Sequence, residues 1–343
     1  NSKIVCYNNN GQLLWISNQK YHSDNNYKEA PSLGIADFNQ DGVPEVFVYN
    51  RIFNAQTGIL LVDGGDTNGV GNNDLPNLVS YQMSVAAHLD KDLSDLELAA
   101  GYSIYKIKLS NLNGTFGNTM IPRNISVNGK FLDGRTSIAD INQDGQLDVI
   151  VAHSSEFSSH ILYIYTINNN IPELISMYSN YPGINHIGTP TVADIDGDGK
   201  PNILLPKNDA IDNYTYNGKS ILDLNWSYAY SNIPTFDLDG NGISEIIYRG
   251  DSLLYVIDGS TNPPTIIDSK SCFSITLNEN CTIADINLTG DSRICITCNP
   301  EKTRYSLISK LTVFGPPDGQ HWAPARPVWN QYAYNPLQIN DDL

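Results

Sequence analysis

Apolar residues run along this chain in short bursts, and polar turn formers separate them. Val, Ile, Leu, Tyr and Phe dominate the bursts while Asn, Asp, Gly and Ser fill the gaps, which is the pattern of β-strands joined by tight turns. Residues 3–7 and 12–16 flank Asn8-Asn9-Asn10-Gly11 and read as a β-hairpin, because Asn-Gly between apolar runs favours the turn. Residues 32–36 and 45–49 are further strands, and 51–54 with 58–62 make a second hairpin. Outer hairpins are predicted at 102–116, 160–176, 214–228, 252–269 and 304–315. Residues 17–32 read as a polar connection, and 64–78 as a Gly/Asn/Asp-rich insertion at the surface. No useful length of chain carries an apolar period of 3.6, so strands make the fold.

One unit is therefore strand, polar loop, strand, turn, strand, and the polar loops repeat. In the best of them oxygen-bearing side chains alternate at Asp140, Asn142 and Asp144, Gly145 follows, and a carboxylate returns at Asp148 just before an apolar run. The same order stands at Asp37, Asn39, Asp41 and Glu45, at Asp194, Asp196, Asp198 and Asn202, and at Asp237, Asp239, Asn241 and Glu245. Two worn copies begin at His88 and at Asp285, the latter continuing through Asn287 and Thr289. First positions fall at 37, 88, 140, 194, 237 and 285, so the step is near 50 residues. Four-stranded units at such a period predict an all-β chain folded as a β-propeller. Six loop-bearing hairpins against seven outer hairpins favour seven blades, with six as the alternative. The orphan hairpin at 3–16 would close the ring.

Alternating oxygens in a tight loop suit a hard cation, because calcium takes six to eight oxygen ligands. An EF-hand is excluded: its bidentate Glu comes at position twelve and a helix follows, whereas here the acid comes at nine and Val/Ile strands follow. About four structural calcium sites are expected. The net charge of −17 excludes a basic nucleic-acid face. Twelve of the 37 Asp and Glu residues lie in the four best loops, so metal binding is expected to couple to folding.

The cysteines bear on compartment. Cys272 and Cys281 flank a short segment and would bridge neighbouring strands in an oxidising environment, although spacing alone does not fix connectivity. Cys295 and Cys298 have redox-motif spacing but no βαβ surroundings. No apolar run is long enough to span a membrane, and no signal peptide is visible. The chain begins within strand-like sequence and reads as a mature product or a piece of a longer polypeptide.

No catalytic constellation emerges. The six histidines show no HExxH spacing and no Gly-x-Ser-x-Gly elbow is present. Asp133, Arg135, Glu156 and Arg249 are loose candidates for chemistry at a propeller mouth. A carbohydrate-active enzyme, glycosidase or polysaccharide lyase, is the alternative to a non-catalytic binding module.

The repeated Ala-Asp-x-Asn/Asp-x-Asp-Gly-x-x-Asp/Glu motif resembles the FG-GAP/VCBS repeat of integrin-α-like propellers, over residues 32–300. That resemblance implies side-chain ligands at positions one, three, five and nine and a backbone carbonyl at seven, which falls on Val43, Gln146, Lys200 and Ile243. The copy at His88 departs from it, with Leu93 in place of the glycine and Asp95 and Glu97 out of register, so strong calcium is not expected there. The copy at Asp285 carries Arg293 at position nine and is weak.

Residues 1–315 are thus read as the propeller and 316–343 as an extended tail that packs on it or leads to a further domain. Prolines force extension there, and Trp322, Trp329, Tyr332 and Tyr334 crowd it with aromatics. The string from Trp322 to Tyr332 resembles a segment of very large Bacteroidetes surface proteins, type IX secretion substrates that include gliding-motility adhesins. The resemblance implies an extracellular, cell-surface adhesion or structural module, whose propeller face takes a glycan or protein ligand and whose neighbours are other domains of one polypeptide.

Overall fold

The computed structural model describes residues 2–21, 32–71, 83–154, 160–179, 187–207, 210–215, 218–222, 233–250, 252–261, 263–273, 280–299, 310–317 and 319–325. Within them all regular structure is strand and every pairing is antiparallel. The first sheet runs Gly34–Ala36, Glu45–Val48, Arg51–Asn54, Leu60–Asp63, in sequence order. The second holds Ser84–Ala87, Glu97–Ala100, Ser103–Lys108 and Thr119–Asn124, and the third Arg135–Ala139, Asp148–Ser154, His160–Asn168 and Ile171–Ser179. Thr191–Ala193, Asn202–Lys207, Ala210–Thr215 and Gly218–Leu222 form the fourth. Thr235–Phe236, Glu245–Arg249, Leu253–Asp258 and Thr265–Ser271 form the fifth. A sixth, three-stranded sheet joins Thr282–Ala284, Arg293–Cys298 and Lys310–Phe314.

Burial falls from the second strand of a sheet to the fourth. Glu45–Val48 and Glu245–Arg249 are buried along their whole length, whereas Thr265–Ser271 is almost wholly exposed. The inner strands read as unbroken apolar runs because sheets cover them on both faces. Each core cluster is shared by two consecutive sheets. Ile52 and Phe53 of the first meet Leu98 and Tyr105 of the second, and Val85 and Ile104 meet Val149 and Tyr163 of the third. Ile150 and Leu162 then meet Ile203 and Tyr214, and Leu204 meets Ile246. Ile247 and Val256 meet Ile294 and Ile296 of the sixth sheet, with Trp322 and Ala325 against them. First strands of successive sheets lie beside one another from the first sheet to the fifth.

The hairpin Val5–Tyr7/Leu13–Ile16 is a two-stranded sheet of its own. Trp15 docks it on the first sheet, its indole N–H donating to Ala55 O at 3.0 Å. A Cβ on Gly58 would fall 2.5 Å from that ring, so the turn there must be glycine. Residues 326–343, from which strands would have to come to share a sheet with this hairpin, lie outside the described residues.

Several elements differ from the sequence expectation. The hairpin placed at 102–116 has its second strand at Thr119–Asn124, because residues 109–118 are one long turn held by Asn118. Its amide donates to Leu61 O, Asn111 O and Gly114 O, and its oxygen accepts from Ser110 N. The hairpin placed at 214–228 turns earlier, between Ala210–Thr215 and Gly218–Leu222, while 223–232 lie outside the described residues. So do 301–309, most of the first arm of the hairpin placed at 304–315.

The insertion at 64–78 is not a simple surface loop. Its described part, 64–71, ends buried at Gly69, Val70 and Gly71. There Tyr105 Oη donates to Gly69 O at 2.9 Å, Tyr102 Oη donates to Thr67 O at 2.9 Å, and Gly69 N donates to Ser103 Oγ at 2.8 Å. Val70 N–H donates to the buried carboxylate of Asp133, just ahead of the third sheet. The absence of side chains lets this backbone press so close: a Cβ on Gly69 would stand 2.1 Å from Ala100 O.

Cys272 is joined to Cys298, not to Cys281, with Cα atoms 4.9 Å apart. An antiparallel bridge between Phe273 and Asn299 brings the two segments together, with Cys272 and Cys298 each one residue before it, while Cys281 precedes Thr282, whose partner is Cys295. Cys281 is a buried free thiol that burial pushes up to about 12.

Candidate metal centres

The repeated loops each connect the first and second strands of a sheet. In the first, both oxygens of Asp37 accept backbone N–H groups, from Asp41 at 3.1 Å and Gly42 at 2.7 Å. Asp140 does the same for Asp144 and Gly145, Asp237 for Asn241 and Gly242, and Asp285 for Thr289 and Gly290. Asp194 holds Gly197 and Gly199. Position five holds position seven in turn: Val43, Gln146, Lys200 and Ile243 donate to Asp41, Asp144, Asp198 and Asn241. Such short polar rings are what Asp and Asn make when their side chains compete for nearby backbone.

Wrapping the chain so tightly requires left-handed backbone twice per loop. Position six is Gly42, Gly145, Gly199, Gly242 or Gly290, with φ from 77° to 91°. Position four is equally left-handed at Gln40, Gln143, Gly197, Gly240 and Leu288, which the sequence reading did not single out. Gln40 and Gln143 also tie neighbouring loops together, donating to Leu93 O at 3.0 Å and Gly199 O at 2.8 Å. Aligning the copies would have exposed this pair, since both glutamines stand at position four.

Position nine folds back beneath the loop. Its side chain accepts the N–H of position two in four copies: Phe38 to Glu45 at 3.1 Å, Ile141 to Asp148 at 3.0 Å, Ile195 to Asn202 at 3.0 Å and Leu238 to Glu245 at 2.7 Å. Burial, with Asp37 and Asp41 adding to it, raises Glu45 to about 7. Burial likewise raises Asp148 and Glu245 to about 7, each with two acids of its own loop adding to the effect. Asp148 Oδ1 is buried and makes no hydrogen bond among the described residues.

Carboxylates converge in at least two loops, Asp194 with Asp196 and Asp198, and Asp237 with Asp239 and Glu245, each set offering oxygens within 4.8 Å of one another. In the other two full copies Asn39 and Asn142 turn their amides onto Asp41 and Asp144, at 3.0 and 2.9 Å. A cation there would require the amide oxygens instead, a half-turn of the side chain. At the sixth loop Asp285, Asn287 and Thr289 keep the turn, but Arg293 at position nine faces Asp291 at 3.8 Å.

Of the remaining candidates, Asp133 and Arg135 are tied to backbone groups. Asp133 is buried and raised to about 8, its carboxylate accepting from Val70 and Gly134 backbone. Arg135 donates to Ile187 O, and Arg249 is buried. Glu156 lies outside the described residues. A cleft of about 750 Å³ opens between the second and third loops, lined by His88, Asp90, Lys91, Asp144, Gln146 and Glu173 among others.

Fold and loops together define an all-β array of antiparallel sheets whose first turns are acid-lined rings. The FG-GAP-like repeat matches residues 140–205, from the first position of the third loop to the strand leaving the fourth. No curated protein matches the chain. Among solved structures, the biofilm matrix protein Bap1 of V. cholerae aligns with a TM-score of 0.68 at 12% identity, over 100% of this chain and 77% of that one. This likeness is one of fold. The exotype rhamnogalacturonan lyase YesX aligns with a TM-score of 0.37 at 15% identity, over 88% of this chain and about half (48%) of the lyase. BBS1N, solved in complex with ARL6DN, aligns with a TM-score of 0.39 at 10% identity, over 86% of this chain and 94% of that one.

Proposed function

We propose that the chain is a non-catalytic, calcium-stabilised β-propeller serving as an extracellular adhesion or structural module. The observation that carries the calcium reading is the third loop, where a buried carboxylate oxygen of Asp148, with the Thr166 side chain beside it, makes no hydrogen bond of normal geometry beneath Asp140, Asn142 and Asp144. A buried anionic oxygen is costly unless something positive meets it. Calcium would be held there by Asp140, Asn142, Asp144, Asp148 and the Gln146 carbonyl. Corresponding sets are Asp37, Asn39, Asp41, Val43 and Glu45; Asp194, Asp196, Asp198, Lys200 and Asn202; and Asp237, Asp239, Asn241, Ile243 and Glu245. Asp285, Asn287 and Thr289 form a weaker fifth.

The side-by-side first strands support a ring of blades; seven blades would follow if the N-terminal hairpin and the tail share one. The Cys272–Cys298 disulfide fits an oxidising exterior. Likeness to a biofilm matrix protein supports adhesion, with a glycan or protein as ligand. The Trp322–Tyr332 string supports origin in a large surface protein of the type IX kind. Asp133 does not favour the enzyme alternative, because backbone groups already occupy its carboxylate.

The test is metal analysis of the purified chain by mass spectrometry, followed by glycan-array binding with calcium and with chelator. About four bound calcium ions and calcium-dependent binding without turnover are expected. A metal-free chain, or glycan cleavage lost on mutating an acid, would overturn the proposal.

A further inference from the structure

The second loop keeps the acids of its neighbours at positions three and five, but His88 replaces the Asp of position one and the loop does not keep their shape. Asp90 and Asp92 stand at positions three and five, and Asp92 N–H donates to Asp90 Oδ1 as in the other copies. Glu97, one residue later than the pattern predicts, takes the place of Glu45 and Asp148: its carboxylate accepts the N–H of Leu89, the residue at position two, at 3.0 Å. Yet Lys91 and Leu93, at positions four and six, are not left-handed, unlike every residue at those positions in the other loops. The ring that would wrap an ion is open.

What meets these acids instead is a pair of side chains from the outer strands of the same sheet. Arg123 reaches Asp90 at 3.0 Å and Glu97 at 3.7 Å. Lys106 reaches Asp92 at 3.0 Å and Asp90 at 3.8 Å. Arg123 and Asp90 are nearly buried and the Glu97 side chain wholly so, so the Arg123 contacts are little screened by water, whereas the Lys106–Asp92 pair is half-exposed. Together the two cations carry the +2 of a calcium ion; they hold the acids at positions three and five at hydrogen-bond distance, and Arg123 approaches the closing one at 3.7 Å without a hydrogen bond. The strand register shows how sheet two differs. Lys106 pairs directly with Glu97, whereas Asn54 pairs with Glu45; Thr166 stands beside Asp148, and Asp258 beside Glu245.

We propose that Arg123 and Lys106 are a built-in replacement for the metal: the second loop is closed by the protein's own cations, excludes calcium, and would become a metal site if they were removed. This rests on the calcium reading of the other loops. The second sheet would then hold its shape in chelator, a fixed clamp within an otherwise metal-dependent array. Arg123 also donates to Asn170 of the third sheet at 2.9 Å, so the clamp spans a sheet-to-sheet boundary.

The test is calcium stoichiometry by equilibrium dialysis, together with hydrogen exchange over residues 84–124 in calcium and in chelator. For the wild type, protection over 84–124 should survive chelation. The double variant Arg123→Met, Lys106→Met should lose that protection in chelator, regain it in calcium, and bind one more ion than the wild type. Asp90→Asn, made in the wild-type background, should leave the ion count unchanged. A double variant that gains no ion, or that stays unprotected at saturating calcium, overturns the inference. So does an Asp90→Asn chain that loses one ion. A wild type that binds no calcium at all would instead overturn the reading on which this rests.

Discussion

The backbone N–H of Ile141 donates to Oδ2 of Asp148 at 3.0 Å, while the second oxygen of that carboxylate, beside Thr166, makes no hydrogen bond of normal geometry. Position nine is therefore two things at once, a strap that closes the loop and a charge beneath it. The fourth loop separates the roles, since Asn202 makes the same strap without a charge. Asp148→Asn should accordingly keep the loop closed. With one ligand charge fewer, calcium affinity at that site should fall about ten-fold, which corresponds to about 1.4 kcal/mol, while melting in chelator should be unchanged or higher. Titration calorimetry with paired melting curves reads both.

Chelation should lower the melting temperature reversibly. A site holding an ion at a hundred times its dissociation constant contributes about 2.7 kcal/mol, so several sites together should move the transition by on the order of 10 °C. Differential scanning calorimetry at fixed pH checks this.

Acidity should compete with the metal. Burial raises Glu45, Asp148 and Glu245 to about 7 from ordinary values of 4.5, 3.8 and 4.5. Between those values and 7 the folded, metal-free chain keeps protons that the unfolded chain has released. Its stability therefore falls as pH rises across that window. Calcium must displace the same protons, so its affinity should weaken as pH drops below 7 and binding should release protons. Calorimetry in two buffers of different ionisation heat measures that release; equal heats in both would contradict it.

Gly69 lies where the insertion packs onto the second sheet. Gly69→Ala would drive a methyl against Ala100 O and should cost about 1–3 kcal/mol, the usual range for overpacking. Urea denaturation against Gly250→Ala, where the added carbon would meet only ordinary contacts from 3.5 Å outward, separates crowding from a general glycine effect.

Reduction should destabilise the sixth sheet. The Cys272–Cys298 bridge closes a span of 26 residues, for which chain entropy gives roughly 3 kcal/mol. Peptide mapping should find that bridge intact and Cys281 unlabelled by alkylating agents until the chain unfolds.

Much of this was legible in the sequence because loop chemistry is local. Asp140, Asn142, Asp144 and Gly145 lie within six residues and fold on themselves, so spacing alone placed the ring. Contacts made across sheets were not. Glu97 looked out of register because the one-residue offset is absorbed by an open turn that only the strand pairing reveals. Arg123 stands 33 residues from Asp90, and nothing in the intervening pattern announces their meeting. The Gly/Asn/Asp composition of 64–78 points to the surface, although in the described part, 64–71, its glycines are what admit the backbone to the interior. The cysteine pairing was lost for the same reason, being fixed by a bridge between Phe273 and Asn299.

The sharing of each core cluster between two consecutive sheets has a consequence for how such a chain comes apart and how it grew. No sheet owns its interior, so melting one strips a face from the next, and unravelling should travel along the array like a run of dominoes rather than stall at a boundary. By the same logic a new copy of the unit, inserted in frame between two old ones, would find both of its neighbours' faces ready to receive it. Duplication is thus a conservative step for this architecture, and each copy is afterwards free to diverge in what it grips.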